Sequence, residues 1–221
     1  KLLGLFFYGY QLRLLYLQDD IADAVIDMLC GATHELNVGD PMELRTDVGP
    51  VIDVQAQQLI EEHTNKMRRK GRLLSEASLD PNLTNGHFVA PQIYEIDRLG
   101  QLEREVFGPI LHIIRYKKSE LRDVLADIKA SGYGLTLGIH SRIDGFAQTV
   151  FDNTQVGNTY INRNTVGAVV GVHPFGGQGL SGTGPKAGGP HYLYRFVSEK
   201  TRTDNVVAKG GNTDLFTLSE G

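Results

Sequence analysis

A single cysteine, Cys30, is all that the 221 residues provide, which excludes an internal disulfide framework and any multi-cysteine metal site. No metal is expected, and sparse cysteine fits a reducing, cytoplasmic setting. Long apolar runs are also lacking. The stretch from Leu2 to Tyr16 is apolar and aromatic but is broken by Gly9, Gln11 and Arg13, whereas a membrane-spanning helix needs about 20 consecutive apolar residues. No small-residue cleavage pattern follows it, so a buried strand is the reading rather than a signal peptide. Nor is there a surplus of positive charge. With 22 Lys and Arg against 26 Asp and Glu, the net charge is -4, giving no global attraction to nucleic acid or to an anionic membrane. The one dense basic run, Lys66, Arg68, Arg69, Lys70 and Arg72, falls where a predicted helix ends and complements its C-terminal dipole. Neither a nucleic-acid partner nor a transmembrane segment is expected.

What is present is enough apolar residue, 41%, to bury a substantial core in one large domain or two small ones. Hydrophobic periodicity alternates between strand and helix. Leu12 to Leu17 reads as a buried strand. A helix follows, opening at Asp19 and Asp20, burying Ile21, Val25, Ile26 and Leu29, and stopping at Gly31. A second helix is predicted over Ile52 to Lys70, with Ala56, Leu59, Ile60, His63 and Met67 on one stripe and Gly71 after its end. His87 to Ile96 and Ile110 to Tyr116 read as strands. A helix opens at Ser119 with Val124, Leu125 and Ile128 inward, followed by strand Leu135 to His140, helix Ile143 to Asn153 and strand Gly157 to Asn162. This alternation predicts an α/β fold, with a mainly parallel sheet and crossover helices.

Two runs carry chemical suggestion. From Gly167 to Pro190, nine of 24 residues are glycine, a concentration used where backbone must adopt positive φ or approach another backbone or a ligand. The run has no Gly-Lys-Ser or Gly-Lys-Thr and lacks the Gly-x-Gly-x-x-Gly register opening a helix, so phosphate binding is not indicated. The other run, Glu105-Val106-Phe107-Gly108-Pro109, taken alone, is a turn carrying one carboxylate and one aromatic ring.

Together these runs resemble the aldehyde dehydrogenase superfamily, whose catalytic domain carries a Glu-x-Phe-Gly-Pro motif. Val38-Gly39-Asp40-Pro41, Thr46-Asp47-Val48-Gly49-Pro50, Tyr133-Gly134-Leu135-Thr136 and Gly157-Asn158 through Ile161-Asn162 fit the same family in order. The resemblance covers about Leu12 to Thr203. It implies an aldehyde-dehydrogenase catalytic-domain-like unit over 1–203 and a C-terminal arm over 204–221. Pro174-Phe175-Gly176-Gly177 through His191-Tyr192 is similar to the L-glutamate γ-semialdehyde (pyrroline-5-carboxylate) dehydrogenases, especially the dehydrogenase half of bifunctional proline utilization A. The implied cofactor is NAD, with Glu105 accepting hydrogen bonds from the nicotinamide-ribose hydroxyls and Phe107 packing beside the nicotinamide. The implied small-molecule substrate is glutamate semialdehyde. Its carboxylate would meet the backbone N–H groups of an anchor loop at Gly167 and Ala168, and its aliphatic chain would meet Phe175.

The family mechanism is covalent: a thiolate attacks the aldehyde, hydride passes to NAD and water hydrolyses the thioester. Here the sequence departs from the pattern. Aligning Leu12 to Tyr16 with the strand after the family's Gly-Gln-x-Cys-Ser puts Gly9 at the nucleophile, Tyr10 at the serine, and Phe6 and Phe7 at Gly-Gln. Cys30 lies some twenty residues further on and reads as a small hydrophobe. The N-terminal cofactor domain of the family is also not in the sequence. Two readings therefore stand: part of a semialdehyde dehydrogenase, inactive by itself, or a non-catalytic module of the same fold. In either case a homo-oligomer or a docked missing half is expected to cover interdomain apolar surface.

Overall fold

In the computed structural model, residues 2–6, 12–165, 168–169, 171–205, 208 and 210 are described, the first segment by its backbone. Among them the strands are β1 (Leu2–Phe6), β2 (Leu14–Gln18), β3 (Arg72–Glu76), β4 (Gln92–Glu95), β5 (Ile110–Tyr116), β6 (Tyr133–Gly134), β7 (Thr136–His140), β8 (Asn158–Ile161) and β9 (Gln178–Gly179). The helices are α1 (Asp19–His34), α2 (Val54–Lys70), α3 (Leu121–Ala130) and α4 (Asp144–Asp152).

Seven strands form one sheet in the order β3-β4-β5-β2-β1-β7-β8, and β6 pairs with β9. β2 and β4 both run parallel to β5, and β7 runs parallel to β8. β1 is antiparallel to both β2 and β7, which gives β7 and β8 the direction of β2. With β3 antiparallel to β4, five of the seven strands point one way. The predicted α/β class with a mainly parallel sheet is thus the observed one.

Successive side chains of a strand face opposite ways, and β2 shows what each face buries. Leu15 and Leu17 pack with Ile93, Ile113 and the α1 residues Ala22 and Ile26. Leu14 and Tyr16 join Ile114, Tyr116, Leu137 and Ile139, covered by α2 (Ile60, Met67), α3 (Val124, Leu125, Ile128) and α4 (Phe146, Ala147, Val150). The five co-directional strands also fix where the candidate site sits. Arg13 leads into β2, Gly108 and Pro109 into β5, Tyr133 and Gly134 into β7, and Gly157 into β8, so these segments share one end of the sheet, where the co-directional strands begin.

Several boundaries differ from expectation for local reasons. α1 runs through Gly31 to His34, and Thr33 in this last turn is still buried. α2 starts at Val54 rather than Ile52, since the Asp53 carboxylate caps it by accepting from the Ala56 N–H at 2.7 Å. Leu59, predicted inward, is largely exposed, and Thr64 is buried on the helix instead. Four of the five residues of the basic run lie in the helix and one in the strand. Arg68, Arg69 and Lys70 close α2, while Arg72 opens β3. These charges pair with acids: Lys66 and Lys70 with Glu103, Arg68 with Glu76, and Arg72 with Glu95.

Candidate cofactor and substrate site

Arg13 is the one charged residue in the apolar run Leu12 to Leu17, and a guanidinium taken out of water there requires partners. It finds several in one loop. Its Nη1 stands 3.0 Å from Glu105 Oε1, with the two side chains only 6% and 13% exposed. The same Nη1 donates to the Val106 carbonyl at 2.9 Å. Its guanidinium carbon lies 3.9 Å from the centre of the Phe107 ring, within cation–π range. Burial lowers the Arg13 pKa and the Glu105 charge opposes that. Glu105, Val106 and Phe107 are thereby gripped by one side chain, yet the Phe107 ring remains 56% exposed.

Beneath Arg13 lies a histidine pair that sequence periodicity assigned only to a helix stripe. The Arg13 carbonyl can only accept, so His112 Nδ1, 3.0 Å away, carries a hydrogen. His112 Nε2 then accepts in the neutral ring, and His63 Nε2 at 2.9 Å donates to it. The relay runs His63 to His112 to the backbone of Arg13, linking α2 and β5 to the entry of β2. Burial pushes both imidazoles from 6.5 down to about 4; Lys66 and Arg104 add to this at His63, and the neighbouring His63 adds to it at His112. Both rings are therefore neutral at pH 7. A cavity of about 310 Å³ adjoins the relay, lined by Arg13, His63, Leu102, Val106, His112 and Tyr133 among others.

Across Tyr133 and Gly134 a second hollow of about 440 Å³ begins, lined by Leu135, Thr136, Phe175, Gly177, Thr183 and Arg195 among others. The glycine-rich run is fastened here. β9 pairs with β6, the Gly134 N–H donates to Ser181 Oγ at 3.1 Å, and Phe175 exchanges backbone hydrogen bonds with Ala187. The Asn158 side chain donates to the Pro174 carbonyl at 3.1 Å and accepts from the Gly176 N–H at 3.2 Å, while Lys186 Nζ donates to the Gly157 carbonyl. Gly157 is required by close approach, because a Cβ there would collide with the Gly176 carbonyl oxygen. Gly179 is required by conformation, at φ 59°.

The residues singled out from sequence thus fall into two groups at one end of the sheet. Glu105 lines the first hollow with Arg13, Phe107 packs against the Arg13 guanidinium beside it, and Phe175 lines the second. Ala168 is half-buried, whereas Gly167 and Gly9 lie outside the described residues. Cys30 belongs to α1 on the opposite face, with its Sγ 3.8 Å from the Leu74 carbonyl. Burial, with Asp27 in support, pushes its thiol pKa up, the reverse of what a nucleophile needs. Sequence reading overlooked Arg13. The available signal was a single cation inside a strand that must be dry.

Residues 10–202 match the model of the Aldehyde dehydrogenase family. The chain belongs to that family. It is 52% identical over 201 residues to Bifunctional protein PutA of Escherichia coli (strain K12), a match covering 89% of this chain and 15% of that protein. To the 1-pyrroline-5-carboxylate dehydrogenase of Geobacillus thermodenitrificans it is 36% identical over 185 residues, covering 83% of this chain and 35% of that one. A solved structure of Bradyrhizobium japonicum Proline Utilization A superimposes with a TM-score of 0.83 at 53% identity, over 92% of this chain and 20% of that chain. The chain thus spans only a small part of the length of these aldehyde dehydrogenase relatives. Among the described residues no helix is long and apolar enough to cross a membrane.

Proposed function

We propose that this chain is the catalytic-domain portion of an NAD-dependent dehydrogenase that oxidises L-glutamate γ-semialdehyde to glutamate in proline catabolism, working in the cytoplasm. The observation that carries the reading is the Glu105–Phe107 loop. A carboxylate held in place by an arginine sits beside a ring left open to solvent, the pairing that a ribose diol and a flat heteroaromatic ring call for. That donor set fits NAD. When bound, NAD supplies the hydride acceptor. Glu105 would accept hydrogen bonds from the ribose hydroxyls, and Phe107 would pack beside the nicotinamide. Ala168, with Gly167, presents backbone N–H groups to the substrate carboxylate, and Phe175 covers the aliphatic chain. Residues 1–203 form the catalytic domain and 204–221 an arm; agreement with the family model over 10–202 supports the division.

The 221-residue polypeptide by itself does not turn over. Gly9 stands at the nucleophile position by alignment, and Cys30 lies across the sheet with a raised pKa. With NAD and glutamate semialdehyde, NADH production should not exceed the buffer blank. Turnover that survives Cys30→Ala would overturn that conclusion.

A second reading, a non-catalytic module that assembles through the same fold, is favoured by one surface. On the 3-10 turn Tyr192–Phe196 and just beyond it, Leu193, Tyr194, Phe196 and Val197 are all mostly exposed, a contiguous apolar strip of the kind that marks an interface.

A further inference from the structure

We propose that Arg13 is a positioning residue for the nicotinamide-ribose site, holding the Glu105 carboxylate and the Phe107 ring in the orientation in which they meet the cofactor. This role deepens the proposed NAD reading and rests on it.

The geometry is specific to a guanidinium. Nη1 serves the Glu105 carboxylate at 3.0 Å and the Val106 carbonyl at 2.9 Å, while the guanidinium carbon lies over the Phe107 ring, 3.9 Å from its centre. Lysine could neutralise Glu105 but could not form a planar face over the ring while bonding two oxygens. The neighbouring residues are consequently immobilised as one body. Glu105 cannot rotate without abandoning an ion pair that is nearly dry, and separating such a pair is costly. Phe107, otherwise a solvent-facing ring with free rotamers, is packed on one side and left open on the other.

Arg13 is itself anchored from below. Its carbonyl accepts from both the backbone N–H and Nδ1 of His112, at 2.9 and 3.0 Å, and His112 in turn is held by His63. The entry of β2, the loop before β5 and helix α2 are therefore joined through one residue. Arg13 also follows Gly9 by four positions in sequence, so the side chain that orients the cofactor loop belongs to the strand that the family's nucleophile segment leads into.

The test uses reduced nicotinamide mononucleotide, which carries the nicotinamide ribose without the adenine half, titrated into the full chain and followed by nicotinamide fluorescence. Glu105→Gln probes the underlying reading and Arg13→Lys probes the positioning role. Glu105→Gln should weaken binding about tenfold, the worth of one charge-assisted hydrogen bond. Arg13→Lys should weaken it by a comparable factor while the urea midpoint of unfolding stays near that of the parent. Because Arg13→Met strands a buried carboxylate and can fail to fold, Arg13→Met with Glu105→Gln is the second variant. It should bind no better than Glu105→Gln alone, since no carboxylate remains to be oriented and the Phe107 ring loses the guanidinium against it. If Glu105→Gln binds like the parent, or the parent does not bind, the NAD reading fails and the role of Arg13 fails with it. If Glu105→Gln weakens binding and Arg13→Lys does not, the reading stands and the positioning role is overturned. Tighter binding by Arg13→Lys would also overturn it, showing that Arg13 competes with the ribose for Glu105.

Discussion

Acidification should strain this fold at the His63–His112 relay, and His112→Phe isolates the effect. In the unfolded chain an imidazole titrates near 6.5, whereas both rings titrate at about 4 in the fold. The folded pKa being the lower one, the unfolded state binds the extra proton as pH falls, and stability declines from about 6.5 down to about 4. Structurally, a proton on His112 Nε2 would set two N–H groups head to head across 2.9 Å. For one imidazole the loss between pH 7 and pH 4.5 comes to about 2 kcal/mol. Phenylalanine fills a similar volume, cannot titrate, and leaves the Arg13 carbonyl its bond from the residue-112 backbone N–H. The His63 shift owes most to burial, Lys66 and Arg104, so it largely persists in the variant. Urea unfolding at constant ionic strength, at pH 7, 5.5 and 4.5, should show the variant less stable at pH 7 by about 1–2 kcal/mol, from the lost hydrogen bond. Its decline with acid should be shallower than that of the parent by about 2 kcal/mol. Parallel declines for the two proteins would refute the assignment of a neutral buried His112.

Gly157→Ala should destabilise by about 2–4 kcal/mol in the same urea assay, because its Cβ meets the Gly176 carbonyl and a β-strand entry cannot yield easily; a midpoint within error of the parent would show that the glycine-rich run can move aside. The apolar strip at Leu193, Tyr194, Phe196 and Val197 should drive self-association, so light scattering at high concentration is expected to give a mass above one chain, and Phe196→Asp should reduce it.

How much of this was legible in the sequence varies with the physics behind each element. α3 was readable because Val124, Leu125 and Ile128 repeat at helical spacing and are all buried. The parallel core was readable from strands separated by amphipathic helices. β3 was not, since Leu73 and Leu74 lie among charges at a sheet edge and the preceding basic run reads as helix tail. Gly31 misled because a glycine stops a helix only where the chain must turn, and α1 still had Thr33 to bury. Glu105, Phe107 and Phe175 were singled out through family resemblance rather than through periodicity. Their surroundings were not, because the partners of Glu105 and the fastening of Phe175 come from segments distant in sequence: Arg13 is 93 residues from Val106, and Ser181 is 47 from Gly134. Only the folded register of β2, β5 and β7 brings such pairs together.

The most direct test of the two-part site is a pair of titrations of the isotopically labelled chain followed by backbone amide resonances. Reduced nicotinamide mononucleotide should shift Glu105, Val106 and Phe107, and glutamate should shift Gly167, Ala168, Phe175 and Gly176, with little overlap between the two sets because the two hollows share no lining residue. Both ligands perturbing other segments, or neither perturbing any, in a folded sample would contradict the assignment of this end of the sheet to cofactor and substrate.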